Sequence, residues 1–437
     1  MITRRQAVLS TLFGTGMIGL RALATGLPTS LLINPRRALA DVPASGCPNP
    51  GQAQFIIFNT SGQGDPINAN VPGMYDDPQI VHSADPSMAP TQLMIASKSY
   101  TAAAPWAQLP QDVLDRTCFW HLMTDTPVHP KEPDVLKLMG ATAAGEMLPS
   151  VLAKQLASCL GTIQAQPLCL GATTPAESLS FGGSALPIIP ALALKSTLTS
   201  PSGPLTDLQP LRDDTLNQLY DLYKNDATPA QRAYIDSLVT SQRQVRNLDQ
   251  SLLDSLSSIQ DNSPASQVIA AVTLIQMKVT PVISIHIPFG GDNHRDLGLA
   301  DESSQTVAGV QSIASLMQLL SSAGLGDRVL FASLNVFGRT LGPGNADGRQ
   351  HNENHQVSLT IGKSIRGGVV GGVMPVAKDY GATPIDSKTG AAADNGDISA
   401  GETLASYGKT LLSAVGVDSA TISAQINGGK VISGVLG

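Results

Sequence analysis

The stretch "HIPFGGDNHRD", His286 to Asp296, sets Asp292, His294 and Asp296 at alternate positions directly after an apolar run. Two other short segments carry the same chemistry. Asp65 lies in "SGQGDP", and "GRQHNENH" offers His351, Glu353 and His355. Carboxylate oxygens and neutral imidazole nitrogens are the donors that divalent ions such as Zn²⁺, Mn²⁺ or Mg²⁺ take. Each segment alone is a weak signal, since a histidine beside a strand is more often a hydrogen-bonded structural group than a ligand. A shared ion-binding site and a structural polar cluster are both open readings of the residues. The first requires that distant loops meet, which is how α/β enzymes assemble such sites.

The elements that would bring them together are legible. "QFIIFNT", Gln54 to Thr60, is a β-branched and aromatic run that ends in a turn sequence, so it predicts a buried strand whose exit loop presents Asp65. "PSVLAKQLASCLG" from Pro149 has helical spacing. Ser263 and Pro264 form a start signal for the helix "PASQVIAAVTLIQM", and "VTPVISIHIPF" follows as a strand. An amphipathic helix from about Ser304 stops at Gly324, and a strand begins near Arg328. Strand, loop, helix, strand is a βαβ unit, which predicts a mostly parallel central sheet flanked by helices, with ligands beyond the carboxyl ends of its strands. Asp65, Asp292 and Asn335 all fall at or just past such ends. Leucines and tyrosines at helical intervals over about 205–260, with a break at Asn225 to Pro229, predict an inserted helical hairpin. The Gly-rich segment Gly367 to Gly372 reads as a connector between two short strands, Asp379 to Gly401 as a surface loop, and "GETLASYGKTLLSAVG" as a final helix.

Composition sets the outer bounds. A chain of 437 residues fits one large α/β unit with insertions. Only 14% of residues are charged and the net charge is -7, so there is no basic field for nucleic acid or anionic lipid. The N-terminus carries Arg4-Arg5, an uncharged apolar stretch from Ala7 to Leu20, and Ala38-Leu39-Ala40. This pattern predicts a twin-arginine export signal over residues 1–40, cleaved before Asp41, and so a periplasmic or secreted protein delivered by the twin-arginine machinery. Arg21 ends the apolar stretch short of the roughly 20 residues a spanning helix needs, so no membrane span is expected after cleavage. The cysteines, Cys47, Cys118, Cys159 and Cys169, match no zinc-ribbon spacing. Disulfides, Cys159 with Cys169 among them, and buried free thiols are both open.

The motif series "FNTSGQGDPINANVP", "GGDNHRD", "GLGDRVLFASLNVFGRT" and "HNENHQVSLTIGKSIRGGVVGGVMP", with the export signal, resembles the DUF1501 family of exported proteins, which is similar in fold to the alkaline phosphatase and sulfatase superfamily. The resemblance runs from about Gln54 to Gly416 and is most specific at "FGRT" and the paired glycines. It implies one alkaline phosphatase-like domain over residues 41–437. Carried over residue by residue, the aspartate after the first strand is Asp65, the Gly-x-Asp-Thr-His element covers Gly291 to His294, and the Asp-His-Gly element falls on Gln350, His351 and Asn352. The Ser-Glu-Phe-Gly-Arg element falls on Asn335 to Arg339, and the Ser-His pair on Val128 and His129. Two acids and the hydroxyl before His129 are therefore replaced.

The function this implies is hydrolysis of phosphate or sulfate esters at a divalent metal centre, by a process similar to a two-metal displacement. Asp65, Asp292, His294, His351 and His355 are the expected metal ligands. Thr126, two residues before Val128, is the expected nucleophile, with a turn cap as its other reading, and Arg339 is the expected oxyanion partner, with a salt bridge beneath the loop as the equal alternative. The replaced acids weaken a second metal site, so a single-metal protein and a non-catalytic exported binding or assembly protein are the alternatives.

Overall fold

The structure is a computed structural model that describes residues 47–49, 51–161, 165–171, 179–199, 209–226, 229, 232, 235–236, 239–240 and 250–437. The expected export signal lies outside the described residues. Strands β1 (Phe55–Ser61), β2 (Thr117–Leu122), β3 (Leu168–Cys169), β4 (Val282–Ile285), β5 (Val329–Asn335), β6 (Gln356–Ile361) and β7 (Gly368–Val370) form one sheet. Its order is β7-β2-β6-β5-β1-β4-β3. Neighbours pair parallel except on both sides of β6, which runs antiparallel to β2 and to β5. The sheet is thus mostly parallel, as the βαβ spacing predicts.

The β-branched and aromatic run of β1 supplies alternate residues to two cores, because successive side chains of a strand face opposite ways. Phe55 and Ile57 join one apolar cluster, together with helices α2 (Pro264–Gln276) and α3 (Ala300–Ser322). Ile56 and Phe58 join the other, with helices α1 (Leu148–Leu156) and α4 (Thr403–Ala414). Helices therefore cover both faces. Helix α2 begins where Ser263 Oγ accepts from the Ser266 amide at 3.4 Å, with Pro264 at its first position. Helix α3 starts a few residues before its expected start and is capped from a distance: the Asp296 carboxylate accepts from the amides of Asp301 at 2.8 Å and Glu302 at 3.0 Å. Negative charge at that end also suits the helix dipole.

Some expectations are corrected. The glycine-rich segment is itself strand β7, an edge of the sheet, and Asp379–Ala382 pairs antiparallel with Val373–Val376, so the surface loop begins later. Within that loop Ile385 and Ile398 are buried, their backbones bridged to each other. Cys159 bonds not to Cys169 but to Cys47, 112 residues away, while Cys118 and Cys169 are buried thiols outside that disulfide. In the expected helical hairpin, Gln209–Asp226 and Gln250–Ser257 are helices, and most of the chain between them lies outside the described residues. Among the described residues, no helix is long and apolar enough to cross a membrane.

The pairing directions have one consequence for chemistry. Strands β1, β2, β4 and β5 all end at the same edge, and β6 starts there. The segments after Ser61, Leu122, Ile285 and Asn335, and the one before Gln356, therefore converge.

Candidate metal centre

At that edge His129, Asp292, His294 and His351 come together, with one ligating atom from each lying within 4.8 Å of all the others. His294 Nε2 is 3.1 Å from Asp292 Oδ1 and 2.9 Å from His351 Nε2. His129 Nε2 is 3.6 Å from Asp292 Oδ2, and His351 Nε2 is 3.7 Å from Asp292 Oδ1. Donors placed about 2.1 Å from one tetrahedral ion stand about 3.4 Å apart, so this spacing fits a single ion.

The protonation of the rings points the same way. His129 Nδ1 lies 2.7 Å from the Gly62 carbonyl, and His351 Nδ1 faces the Pro127 carbonyl. A carbonyl oxygen only accepts, so each ring presents an Nδ1–H to it and turns Nε2 inward, the nitrogen whose lone pair an ion would take. Those lone pairs face a carboxylate and one another, an arrangement that a cation in their midst stabilises. Carbonyl groups that hold the far nitrogen of a ligating histidine are a regular feature of metal sites. Partial burial opposes ionisation of Asp292. The Arg339 hydrogen bond and charge, with His129 and His294, outweigh it and hold the carboxyl below its usual range. For His351, burial and then the neighbouring positive groups depress protonation despite the Pro127 hydrogen bond.

Glycines and aromatics shape the walls. Phe337 stacks on His351 with ring centroids 4.3 Å apart and meets His129 edge-on at 5.0 Å. Gly64, at φ 65°, allows this, because a Cβ there would lie 2.0 Å from the Phe337 ring. Gly348, at φ 127°, lets its loop approach the His294 carbonyl, which a Cβ would meet at 2.3 Å. Behind the centre, Arg349 and Glu302 form a fully buried ion pair at 2.7 Å. Asn293 Nδ2 donates to Glu302 at 3.2 Å, and the Arg349 amide donates to the Asn293 carbonyl at 3.0 Å. The loops carrying His294 and His351 are thereby tied to each other.

Of the expected ligands, Asp292, His294 and His351 meet, while Asp65 and His355 take other places. Asp65 is fully buried and accepts from Ser61 Oγ at 3.1 Å. Burial pushes its carboxyl up, partly offset by His286, the Ser61 hydrogen bond and Arg339. His355 has both nitrogens occupied, Nε2 by His121 Nδ1 at 2.8 Å and Nδ1 by Asn68 at 3.3 Å. Arg339 has no exposed side chain, and its Nη2 donates to Asp292 Oδ1 at 2.7 Å. In this position its guanidinium is committed to Asp292 and to backbone carbonyls. Thr126 is 4% exposed, which encloses the expected nucleophile, and the neighbouring Pro127 carbonyl is spent on His351. Asp296 is a helix cap. The member of the cluster that residue types missed is His129; its sequence signal is the Ser-His resemblance at Val128-His129.

No protein-family model matches the chain, and no curated protein is significantly similar to it.

Proposed function

We propose that the chain is a divalent-metal protein of alkaline phosphatase-like fold that acts as a metal-dependent hydrolase on phosphate or sulfate esters. The observation that carries the proposal is the convergence of three imidazoles and one carboxylate, His129, Asp292, His294 and His351, within 4.8 Å. Three nitrogens with one oxygen suit Zn²⁺ better than Mg²⁺, which prefers oxygen donors. A bound ion would supply Lewis acidity toward an ester oxygen. The chain's own contribution is to fix the His129 and His351 rings through Gly62 and Pro127 and the carboxylate through Arg339. The side chains of the four ligands are between 22% and 39% exposed, which leaves the centre open to a small ester.

The DUF1501 likeness belongs to this proposal, and so do the helical insertion near 205–260, the single domain over 41–437 and twin-arginine export to the periplasm or beyond. The Cys47–Cys159 disulfide supports export, since such bonds persist in oxidising compartments. A second reading, an exported binding or assembly protein that keeps the metal but not the chemistry, draws on one observation. Val128, where a hydroxyl is expected, is 46% exposed, and the nearest substitute, Thr126, is enclosed.

Metal analysis of the purified chain, followed by chelation, reconstitution and a chromogenic phosphate and sulfate ester screen, separates the readings. The hydrolase reading expects a bound ion and turnover that Asp292→Ala abolishes. Bound metal without turnover leaves the binding protein, and absence of both ends the metal reading.

A further inference from the structure

We propose that the centre takes one divalent ion per chain and that the guanidinium of Arg339 stands where a two-ion centre would place its second cation. The inference deepens the metal reading above and rests on it. A two-ion centre needs carboxylates enough to balance four positive charges, and its ligands must be free to turn toward the second ion.

The structure withholds both. Apart from Asp292, the remaining expected acid is Asp65, fully buried. Where the resemblance carries further acids, the chain has Val336 and Gln350, and Asn352, beside His351, is committed to Asp379 at 2.9 Å and to the Tyr380 carbonyl at 2.8 Å. His355, the remaining expected imidazole, is held on both nitrogens by His121 and Asn68.

The guanidinium fills the gap. Its Nη2 donates to Asp292 Oδ1 at 2.7 Å and to the Gly291 carbonyl at 3.3 Å, while its Nε donates to the Gly64 carbonyl, next to Asp65. It therefore links the loop that carries Asp65 to the loop that carries Asp292. Asn68 fixes the backbone on both sides, accepting from the Arg339 amide at 3.1 Å and donating to its carbonyl at 2.8 Å. Asp65 Oδ2 and Arg339 Nη1 are both buried and without a hydrogen-bond partner among the described residues, and the Arg339 charge is one of the groups that oppose the upward push of burial on the Asp65 carboxyl. Arginine suits this role because it stays protonated where lysine can lose its proton. A chelator strips an ion but leaves a guanidinium in place.

The test is a count. The full chain, stripped with a chelator and dialysed against excess Zn²⁺, is expected to retain one ion by elemental analysis. Two ions per chain overturn the inference and leave the metal reading standing; none overturns both. Arg339→Ala is expected to bind its ion about ten- to a hundredfold more weakly, the range for loss of a group that orients a ligand. Added guanidinium at millimolar concentration is expected to restore that affinity, which a purely structural role would not predict. An Arg339→Ala chain that is folded by circular dichroism and binds as tightly as the parent overturns the inference. If that variant does not fold, Arg339→Lys takes its place in the test. It is expected to bind one ion with less than about tenfold loss, within the range for a retained orienting group, and a second equivalent bound by it overturns the proposal.

Discussion

Two pairs of histidines lie at the same sheet edge with nearly the same contact and opposite demands. His121 and His355 stack at 5.1 Å with nitrogens 2.8 Å apart; His294 and His351 stand at 4.6 Å with nitrogens 2.9 Å apart. In the first pair every atom is satisfied by neutral rings. His121 Nε2 donates to the Pro72 carbonyl, its Nδ1 accepts from His355 Nε2, and His355 Nδ1 accepts from Asn68. In the second, backbone carbonyls hold the proton of His129 and of His351 on the outer nitrogen, and the inner lone pairs meet Asp292. The first pair is complete without an ion and the second is not. Contact between imidazoles therefore says little; what faces the far nitrogens decides the role.

The widest separation between the pairs is expected from removing charge at one and shape at the other. Asp292→Asn takes away the only carboxylate of the cluster and is expected to weaken Zn²⁺ binding by at least about a hundredfold, the upper range seen when only a supporting residue is lost. His355→Leu is expected to leave binding within about threefold while lowering stability by about 2 kcal/mol, because His121 Nδ1 loses its donor in a fully buried place. Competition with a chromogenic chelator and a denaturant melt measure both. If His355→Leu lost the ion as Asp292→Asn does, the contrast between the pairs would collapse.

Acid separates them next. Burial lowers the His121 pKa from 6.5 to about 4, although the Pro72 hydrogen bond opposes this. The unfolded chain therefore takes up a proton near pH 6.5 that the folded chain refuses until about pH 4, so stability is fully present above 6.5 and falls as pH drops through that window. The loss is about 3 kcal/mol at about pH 4 relative to about pH 7, at about 1.4 kcal/mol per pKa unit. It is expected to persist in metal-stripped protein, and His121→Asn is expected to remove this share of the slope, while burial of His82 and His355, whose pKa values it also lowers, keeps the rest. A slope that vanished on chelation instead would assign it to the metal cluster.

The sequence carried the scaffold well and the partners poorly, for a physical reason. The runs in β1 and β5 and the start signal at Ser263 are local properties, so the strands, helices and the converging edge could be read from residues near one another. Asp292, His294 and His351 were legible as candidates because their segments follow or precede strands at the edge where the loops of a parallel sheet converge. The outcome for the "HNENH" pair was not. His351 pairs through its backbone with Arg339 and turns its ring to the cluster with His129, Asp292 and His294. His355 directly precedes β6 and is sealed against His121, a partner 234 residues away that sits within the strand "TCFWHL". Nothing in either segment marks that meeting, and likewise nothing near Cys47 marks Cys159.

The smallest effect is expected where the two loops of the ion site are tied together. Asn293 stands between Asp292 and His294, is 4% exposed, and donates to Glu302 at 3.2 Å; the Arg349 amide donates to its carbonyl at 3.0 Å. Asn293→Ala removes the side-chain tie but keeps both the backbone bond and the buried Arg349–Glu302 pair, so no charge is stranded. The loop gains freedom without losing a ligand. Zn²⁺ affinity is expected to fall by about tenfold, equal to about 1.4 kcal/mol, with metal-free stability lowered by about 1 kcal/mol for the lost hydrogen bond. Isothermal titration beside a metal-free melt resolves the two. An unchanged affinity would show that the backbone bond from Arg349 alone sets the position of His294, and the side-chain network would then belong with the His121–His355 pair, as structure that the ion does not feel.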